Sequence, residues 1–140
     1  NSAKEFVEDF SKNKKYILGI GHRKYRIDMP DPRVKKILEF TKDLKNNSYT
    51  NFALDVEKIT TSKKGNLILN VDGAVGAVLL DLLTNEENYT KEELYKLTQA
   101  EFFNAFFIIP RTVGFLSHYL DQKRLDEGLF RLDDGLVAQI

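Results

Sequence analysis

Asn66-Leu67-Ile68-Leu69-Asn70-Val71-Asp72-Gly73-Ala74-Val75-Gly76-Ala77-Val78-Leu79-Leu80-Asp81-Leu82 is the stretch whose reading decides the fold. Its first part, Leu67 to Leu69, is one of two extended apolar candidates in the chain, and it is too short to found a sheet. From Asn70 onward, Val71, Val75, Val78, Leu79 and Leu82 recur at helical spacing. Asn70 is the expected N-cap, and Asp72 falls in the first turn, beside backbone amides that have no partner within the helix. The other extended run, Tyr16 to Gly21, enters a loop bracketed by Gly19 and Gly21. With no further strand signal, the expectation is an all-α chain.

The flanking elements agree with it. Ser2-Ala3-Lys4-Glu5 is a capping box that opens a helix over Ala3 to Lys12, with Phe6, Val7 and Phe10 on one face. Asp31-Pro32 is an N-cap followed by a proline at the first helical position, and the helix is expected to run to about Lys45 with Val34, Ile37, Leu38 and Leu44 inward. Thr50 is read as the cap of the next helix, whose face is Phe52, Val56 and Ile59, and Thr60-Thr61-Ser62-Lys63-Lys64-Gly65 as its end. Thr90-Lys91-Glu92-Glu93 and Thr98-Gln99-Ala100-Glu101 read as two further capping boxes. The second is expected to open a Phe-rich helix that Pro110 kinks and that ends near Leu125.

Composition narrows the functional classes. The chain has 140 residues, 42% of them hydrophobic, which suits a single compact domain with its own core. The 21 Lys+Arg balance 21 Asp+Glu, so a general nucleic-acid or polybasic membrane binder is disfavoured. Without cysteine there are no disulfides, thiolate metal sites or Cys nucleophile, and two histidines are too few for a histidine-only zinc centre. No metal site is expected, and a cytoplasmic setting fits. The run Phe102 to Ile109 is far shorter than the ~20 residues of a membrane span, and the first residues carry no signal-peptide pattern. Without a Met at position 1, the sequence is expected to be a piece of a longer chain.

Several residues invite a chemical reading beside a plainer one. Gly19-Ile20-Gly21-His22-Arg23 with Asp31-Pro32-Arg33 offers an imidazole that titrates near neutral pH and guanidiniums that can grip a carboxylate, yet it also reads as a solvated basic loop. Asp72 is explained, on the residues alone, by its favourable place at a helix N-terminus. Lys63 and Lys64 suit a phosphate or plain solvent. Arg111, in an otherwise apolar stretch, would be costly to bury alone, so an anionic partner is expected for it. His118, among Phe115, Leu116, Tyr119 and Leu120, reads as structural. Phe102, Phe103, Phe106 and Phe107 read as core or interface packing.

Taken in order, Gly19-Ile20-Gly21-His22-Arg23, Pro30-Asp31-Pro32-Arg33, Val56-Glu57-Lys58-Ile59-Thr60-Thr61-Ser62-Lys63-Lys64, Asn66 to Gly73, Gly114-Phe115 and His118-Tyr119-Leu120-Asp121-Gln122-Lys123-Arg124-Leu125 resemble the C-terminal, citrate-synthase-like part of the ATP-citrate lyases. The G-x-G-H loop, the D-P-R and the N-V-D belong to citrate synthases generally. The strings around Lys63-Lys64 and Tyr119 to Leu125 resemble the lyase branch more specifically.

The resemblance implies an α-helical, citrate-synthase-like fold, comprising the small domain and the C-terminal helices of the large one, with residues 1–140 forming a partial domain. It implies the citryl-CoA lyase step of an acyltransferase-class enzyme, which splits citryl-CoA into acetyl-CoA and oxaloacetate. His22 then matches the histidine on the carbon–oxygen group of the citryl or oxaloacetate moiety, and Asp72 the carboxylate that exchanges a proton with the acetyl carbon. Arg33 and Arg111 match carboxylate-binding arginines, Arg23 lies beside them, and Arg131 matches a C-terminal arginine loosely. Ser62, Lys63 and Lys64 fall where coenzyme A approaches. Pro110 departs from the glycine usual before the arginine. A further family histidine, upstream of this stretch, is not among these residues. The implied partners are citrate or oxaloacetate, CoA thioesters, the rest of the lyase chain and further copies in a dimer or tetramer, with no nucleic acid and no membrane. ATP and magnesium belong to a synthetase part elsewhere. Two alternatives stay open: a fragment of a separate citryl-CoA lyase or citrate synthase, and a non-catalytic CoA-binding or assembly module.

Overall fold

The computed structural model describes residues 2–126 and Gly128. Between Phe103 and Asn104 the chain divides into two compact units. The first contains α1 (Ala3–Lys12), α2 (Pro32–Glu39), α3 (Ser48–Lys63), α4 (Val71–Asn85) and α5 (Lys91–Gln99), and the second is built on α6 (Ala105–Leu125). Among the described residues the only β pairings are isolated bridges, Ile20 with Leu69 and Arg26 with Met29. The all-α expectation is met.

In the first unit α4 is the central element, packing against both α2 and α3, while α1 packs on α3. The apolar character of α4 over most of its surface follows from that position, since a helix covered on more than one side needs no polar face. Its Ala74, Ala77 and Val78 are buried with Val56 of α3 and with Ile68 and Leu69 of the preceding connection. Phe6 joins α1 to α3 by stacking edge-on against Phe52, ring centroids 5.5 Å apart.

Local sequence signals fixed several termini. The boxes of Ser2 with Glu5 and Thr90 with Glu93 form, Asp31 accepts from the Arg33 amide, and Asn70 caps α4. Others differ from expectation. The helix from Pro32 ends at Glu39 and tightens into a 3₁₀ turn over Phe40–Asp43, where Thr41 Oγ1 donates back to the Leu38 carbonyl. α3 starts at Ser48, not behind Thr50, because its first amides are capped from α4, by Asp81. It also runs on to Lys63: the hydroxyls of Thr60, Thr61 and Ser62 donate to carbonyls within their own helix, which satisfies them without ending it. The box expected at Thr98 does not form, since Thr98 Oγ1 donates to the Leu94 carbonyl inside α5. Glu101, at φ 54°, and a 3₁₀ turn over Phe102–Asn104 intervene before α6.

In the second unit α6 carries Pro110 within it and ends at Asp126, which is left-handed at φ 53°. Ile109, Phe115 and Leu116 are more than half exposed. No described helix is long and apolar enough to cross a membrane.

Candidate active site

The connection from α3 to α4 and the loop after α1 lie side by side. Gly21 N donates to the Ile68 carbonyl at 2.7 Å, His22 N to Asn66 O at 3.0 Å, and Asn70 N to Gly19 O at 2.9 Å. Gly19 and Gly21 have φ of 83° and 101°, a region that favours glycine. The approach of the loop to α4 is tighter still: a Cβ on Gly73 would stand 2.5 Å from the Gly19 carbonyl oxygen, and one on Gly19 2.7 Å from the Gly73 Cα. Only two bare backbones fit here, and their contact sets the His22 loop on the first turn of α4, next to Asp72.

His22 is half-buried and its ring leans on Tyr25, centroids 4.8 Å apart. Its Nδ1 faces two donors, the main-chain N–H groups of Lys24 at 3.1 Å and Tyr25 at 3.0 Å. An acceptor at Nδ1 carries no proton, which leaves the ring N–H on Nε2. The free edge of the ring is therefore a hydrogen-bond donor, suited to an oxygen.

Asp31 is buried and does two things. Its Oδ1 accepts from Arg33 N at 3.0 Å, capping α2, and the same carboxylate holds the Arg33 guanidinium through Nε at 3.0 Å and Nη2 at 2.7 Å. Burial pushes this carboxyl up, but the hydrogen bonds and charge of Arg33, with His22 nearby, outweigh it and hold Asp31 below the usual carboxylate value. Arg33 is raised by its hydrogen bond to Asp31, against the opposing effect of burial, and by the charges of Asp31, Tyr25 and Asp72. One edge of the Arg33 fork is thus committed inside the fold, and the rest remains for an anion.

Asp72 is exposed on the first turn of α4, close enough to Arg33 for their charges to act on each other. His22, Arg33 and Asp72, far apart in sequence, therefore belong to one cluster, with the Tyr25 ring among them. Arg23 is exposed directly after His22. Ser62, Lys63 and Lys64 are exposed at the C-terminal end of α3, and the Ser62 hydroxyl is spent on the Ile59 carbonyl, which leaves the two ammonium groups as the free chemistry there.

Arg111 lies in the second unit, exposed, with its guanidinium 4.5 Å from the centre of the Phe107 ring. The expected anion is replaced in this unit by an aromatic face, and exposure removes the burial cost on which that expectation stood. His118, read as structural, is exposed, 3.4 Å from the Gln122 side chain. Arg131 lies outside the described residues. No group of three or more His, Cys, Asp or Glu among the described residues is set to hold a metal.

Three supporting residues escaped the sequence reading. Asn70 was legible only as a cap, but its Nδ2 also donates to Gly21 O at 3.1 Å. Glu57 Oε1 accepts from Leu69 N at 2.7 Å, fixing the residue before that cap. Asp31 was legible as a cap but not as the holder of Arg33. A groove of about 600 Å3 between α2 and α3, lined by Val34, Lys35, Leu38, Glu57 and Leu69, shares Asp31 with the cluster but not His22, Arg33 or Asp72.

Residues 1–133 match the family described as citrate synthase, C-terminal domain. The chain belongs to the citrate synthase family. Within that family, mouse ATP-citrate synthase is 47% identical over 128 residues, which are 91% of this chain and 12% of the mouse protein. The probable ATP-citrate synthase of Caenorhabditis elegans is 44% identical over 134 residues, with 93% of this chain and 12% of that protein covered. The chain thus spans about an eighth of the length of these curated relatives. Among solved structures, ATP citrate lyase from Methanothrix soehngenii in complex with citrate and coenzyme A superimposes with a TM-score of 0.84 at 36% identity, covering 99% of this chain and 23% of that one. A mutant of the Methanosaeta concilii ATP citrate lyase in complex with (3S)-citryl-CoA gives the same TM-score at 35% identity, with the same coverage. This citrate synthase family chain therefore has the helical fold of the lyases, as its motifs implied.

Proposed function

We propose that this chain supplies the citryl-CoA lyase portion of an ATP-citrate lyase, whose whole reaction converts ATP, citrate and CoA into acetyl-CoA, oxaloacetate, ADP and phosphate. The observation that carries the reading is the gathering of His22, Arg33 and Asp72 in a fold that superimposes on a citryl-CoA complex.

The step is a retro-Claisen cleavage. The tertiary hydroxyl of the citryl group gives up its proton to the Asp72 carboxylate, the bond from its carbon to the acetyl methylene breaks, and the electron pair passes into the thioester as an enolate. Protonation of that carbon completes acetyl-CoA, and the former hydroxyl oxygen becomes the ketone of oxaloacetate. His22, with its proton on Nε2, donates to that oxygen; in this tautomer it is a donor and not the base. Asp72 then delivers that proton to the acetyl carbon and returns to the carboxylate. Arg33 and Arg23 hold carboxylates, for which charge-assisted, bidentate bonds are suited, and Arg111 and Arg131 are carboxylate-binding arginines on the motif resemblance alone. Lys63 and Lys64, with Ser62 beside them, meet the phosphates of coenzyme A, where an ammonium serves as a point charge. The donor to the thioester oxygen is a histidine outside these residues. ATP and magnesium act in the synthetase part of the enzyme, which works as a cytoplasmic dimer or tetramer.

The test uses the full-length parent protein, citryl-CoA and malate dehydrogenase with NADH to report oxaloacetate. Wild-type turnover that falls by at least ~100-fold in both His22→Ala and Asp72→Asn is expected. Full activity in both variants removes this cluster from the reaction, and no wild-type turnover removes the lyase assignment.

A further inference from the structure

Every polar group of Asn70 is used, and in two directions. Its Oδ1 accepts from the amides of Asp72 and Gly73, both at 3.1 Å, which starts α4. Its Nδ2 donates to the carbonyl of Gly21 at 3.1 Å, and its own N–H to the carbonyl of Gly19 at 2.9 Å. Its carbonyl accepts from Ala74 N at 3.0 Å, the first bond of the helix. One side of this amide is thus fixed to the turn that presents Asp72, and the other to the residue immediately before His22. The Gly19–Gly73 contact presses the same two segments together, but a steric contact only sets how near they come. Slippage of the loop along the helix is opposed by the directed bonds of Asn70, which add to the backbone bonds of Gly21 N to Ile68 O and His22 N to Asn66 O.

Resting on the lyase reading above, we propose that Asn70 is a positioning residue that sets where His22 stands relative to Asp72, beyond its role as a helix cap. The two groups act at the two ends of one breaking carbon–carbon bond, His22 on the oxygen borne by one carbon and Asp72 on the other, acetyl carbon. Their mutual placement therefore matters to the chemical step far more than to binding, which the arginines and lysines support independently. Tolerance at such a site is small: displacement by about 1 Å costs on the order of 100-fold in rate.

Two substitutions separate the cap from the tether. Serine and aspartate are both good N-caps, so Asn70→Ser and Asn70→Asp keep the start of α4. Serine is too short to reach Gly21 and leaves the net charge unchanged, whereas aspartate turns an acceptor toward the Gly21 carbonyl. In the full-length enzyme, both variants are expected to melt within a few degrees of wild type and to keep KM for citryl-CoA within about threefold, while kcat falls about 100-fold. The carbonyl stretch of bound oxaloacetate, which reads hydrogen-bond donation from His22, is expected to shift toward the free value or to broaden. Unchanged kcat in both variants overturns the proposal, as does a loss of kcat that comes with an equal rise in KM or with a collapse in melting temperature. Absence of turnover in the wild type instead sinks the lyase reading. The crystal structure of Asn70→Ser then decides the positioning claim by itself, an unmoved His22 loop ruling it out.

Discussion

The buried carboxylate of Asp81, on α4, reaches Thr50 on α3: its Oδ2 accepts from the Thr50 amide at 2.8 Å, and its Oδ1 from the neighbouring Tyr49 amide at 2.9 Å. The N-terminus of one helix is thereby closed by the side chain of another, so the packing of α3 on α4 and the start of α3 are a single event. Asp81→Ala leaves both amides without a partner inside the fold, which is expected to cost about 1–3 kcal/mol. Thermal melting of the chain checks this; an unchanged midpoint would mean that the carboxylate contributes nothing to α3.

The Asp31–Arg33 pair predicts a pH dependence. The Asp31 carboxyl lies below its ordinary value in the folded chain, so its contribution is complete above the unfolded value of 3.8 and is lost as the pH falls through the lower folded one. In Arg33→Ala the carboxyl loses the partner that held it down while burial still pushes it up. The variant is expected to be less stable by about 1–2 kcal/mol at pH 7, discounted because Arg33 is half exposed, with the gap closing below pH ~4. Urea unfolding at several pH values reads this, and a gap that widens on acidification contradicts it.

For ligand binding by the complete enzyme, Arg33→Ala and Arg111→Ala are each expected to weaken citrate or oxaloacetate by about 1.5–3 kcal/mol. Arg33→Lys should not rescue the loss, because a single ammonium cannot satisfy Asp31 and a ligand with the geometry of the fork. Lys63→Ala should weaken CoA and leave citrate nearly untouched. Calorimetric titration with each ligand distinguishes the cases.

Gly73→Ala is expected to combine a packing cost of about 1–3 kcal/mol with a loss of turnover, since the new Cβ would press directly on the Gly19 carbonyl and lift the His22 loop. Gly76→Ala, whose Cβ would meet nothing within 4 Å, serves as the control and should raise or preserve stability. Equal behaviour of the two variants in melting and in the malate dehydrogenase assay would show that the Gly19–Gly73 contact is unimportant.

The 140 residues alone are expected to show no lyase turnover. A donor for the thioester oxygen is needed, and loss of such a donor costs roughly 10²–10³ in rate; in the proposed reaction His22 is engaged at the other oxygen, and His118 is exposed on α6. Citryl-CoA cleavage by the purified piece would show that its own residues complete the site.

How much of this was legible depended on the range of the interaction. The helix at Ala3–Lys12 and the caps at Ser2, Asp31, Asn70 and Thr90 are written within a few consecutive residues, and all of them form. The start of α3 is not, because its cap is Asp81, 31 residues beyond the Thr50 amide that it accepts from. Thr98 looked like a helix opener because the pattern T-x-x-E does not reveal whether its hydroxyl is already engaged by the preceding turn. For the candidate site, the residue types and the loop and helix-start positions of His22, Arg33 and Asp72 were readable from motifs. The tether from Asn70 to Gly21 spans 49 residues and exists only once the loop lies against the connection, so no local pattern announces it.

The Gly19–Gly73 contact also constrains how this site can evolve. A crowded pair of side chains can usually be relieved by shrinking either partner, so one mutation opens the way for another. Here each Cβ would strike main-chain atoms of the other residue, its Cα, amide nitrogen or carbonyl oxygen, which no substitution removes. Neither position has a compensating neighbour, and the two cannot drift in sequence by exchanging size. Variation in substrate handling within this architecture therefore meets less resistance elsewhere, on the exposed loop after His22 or at the end of α3, than at this junction.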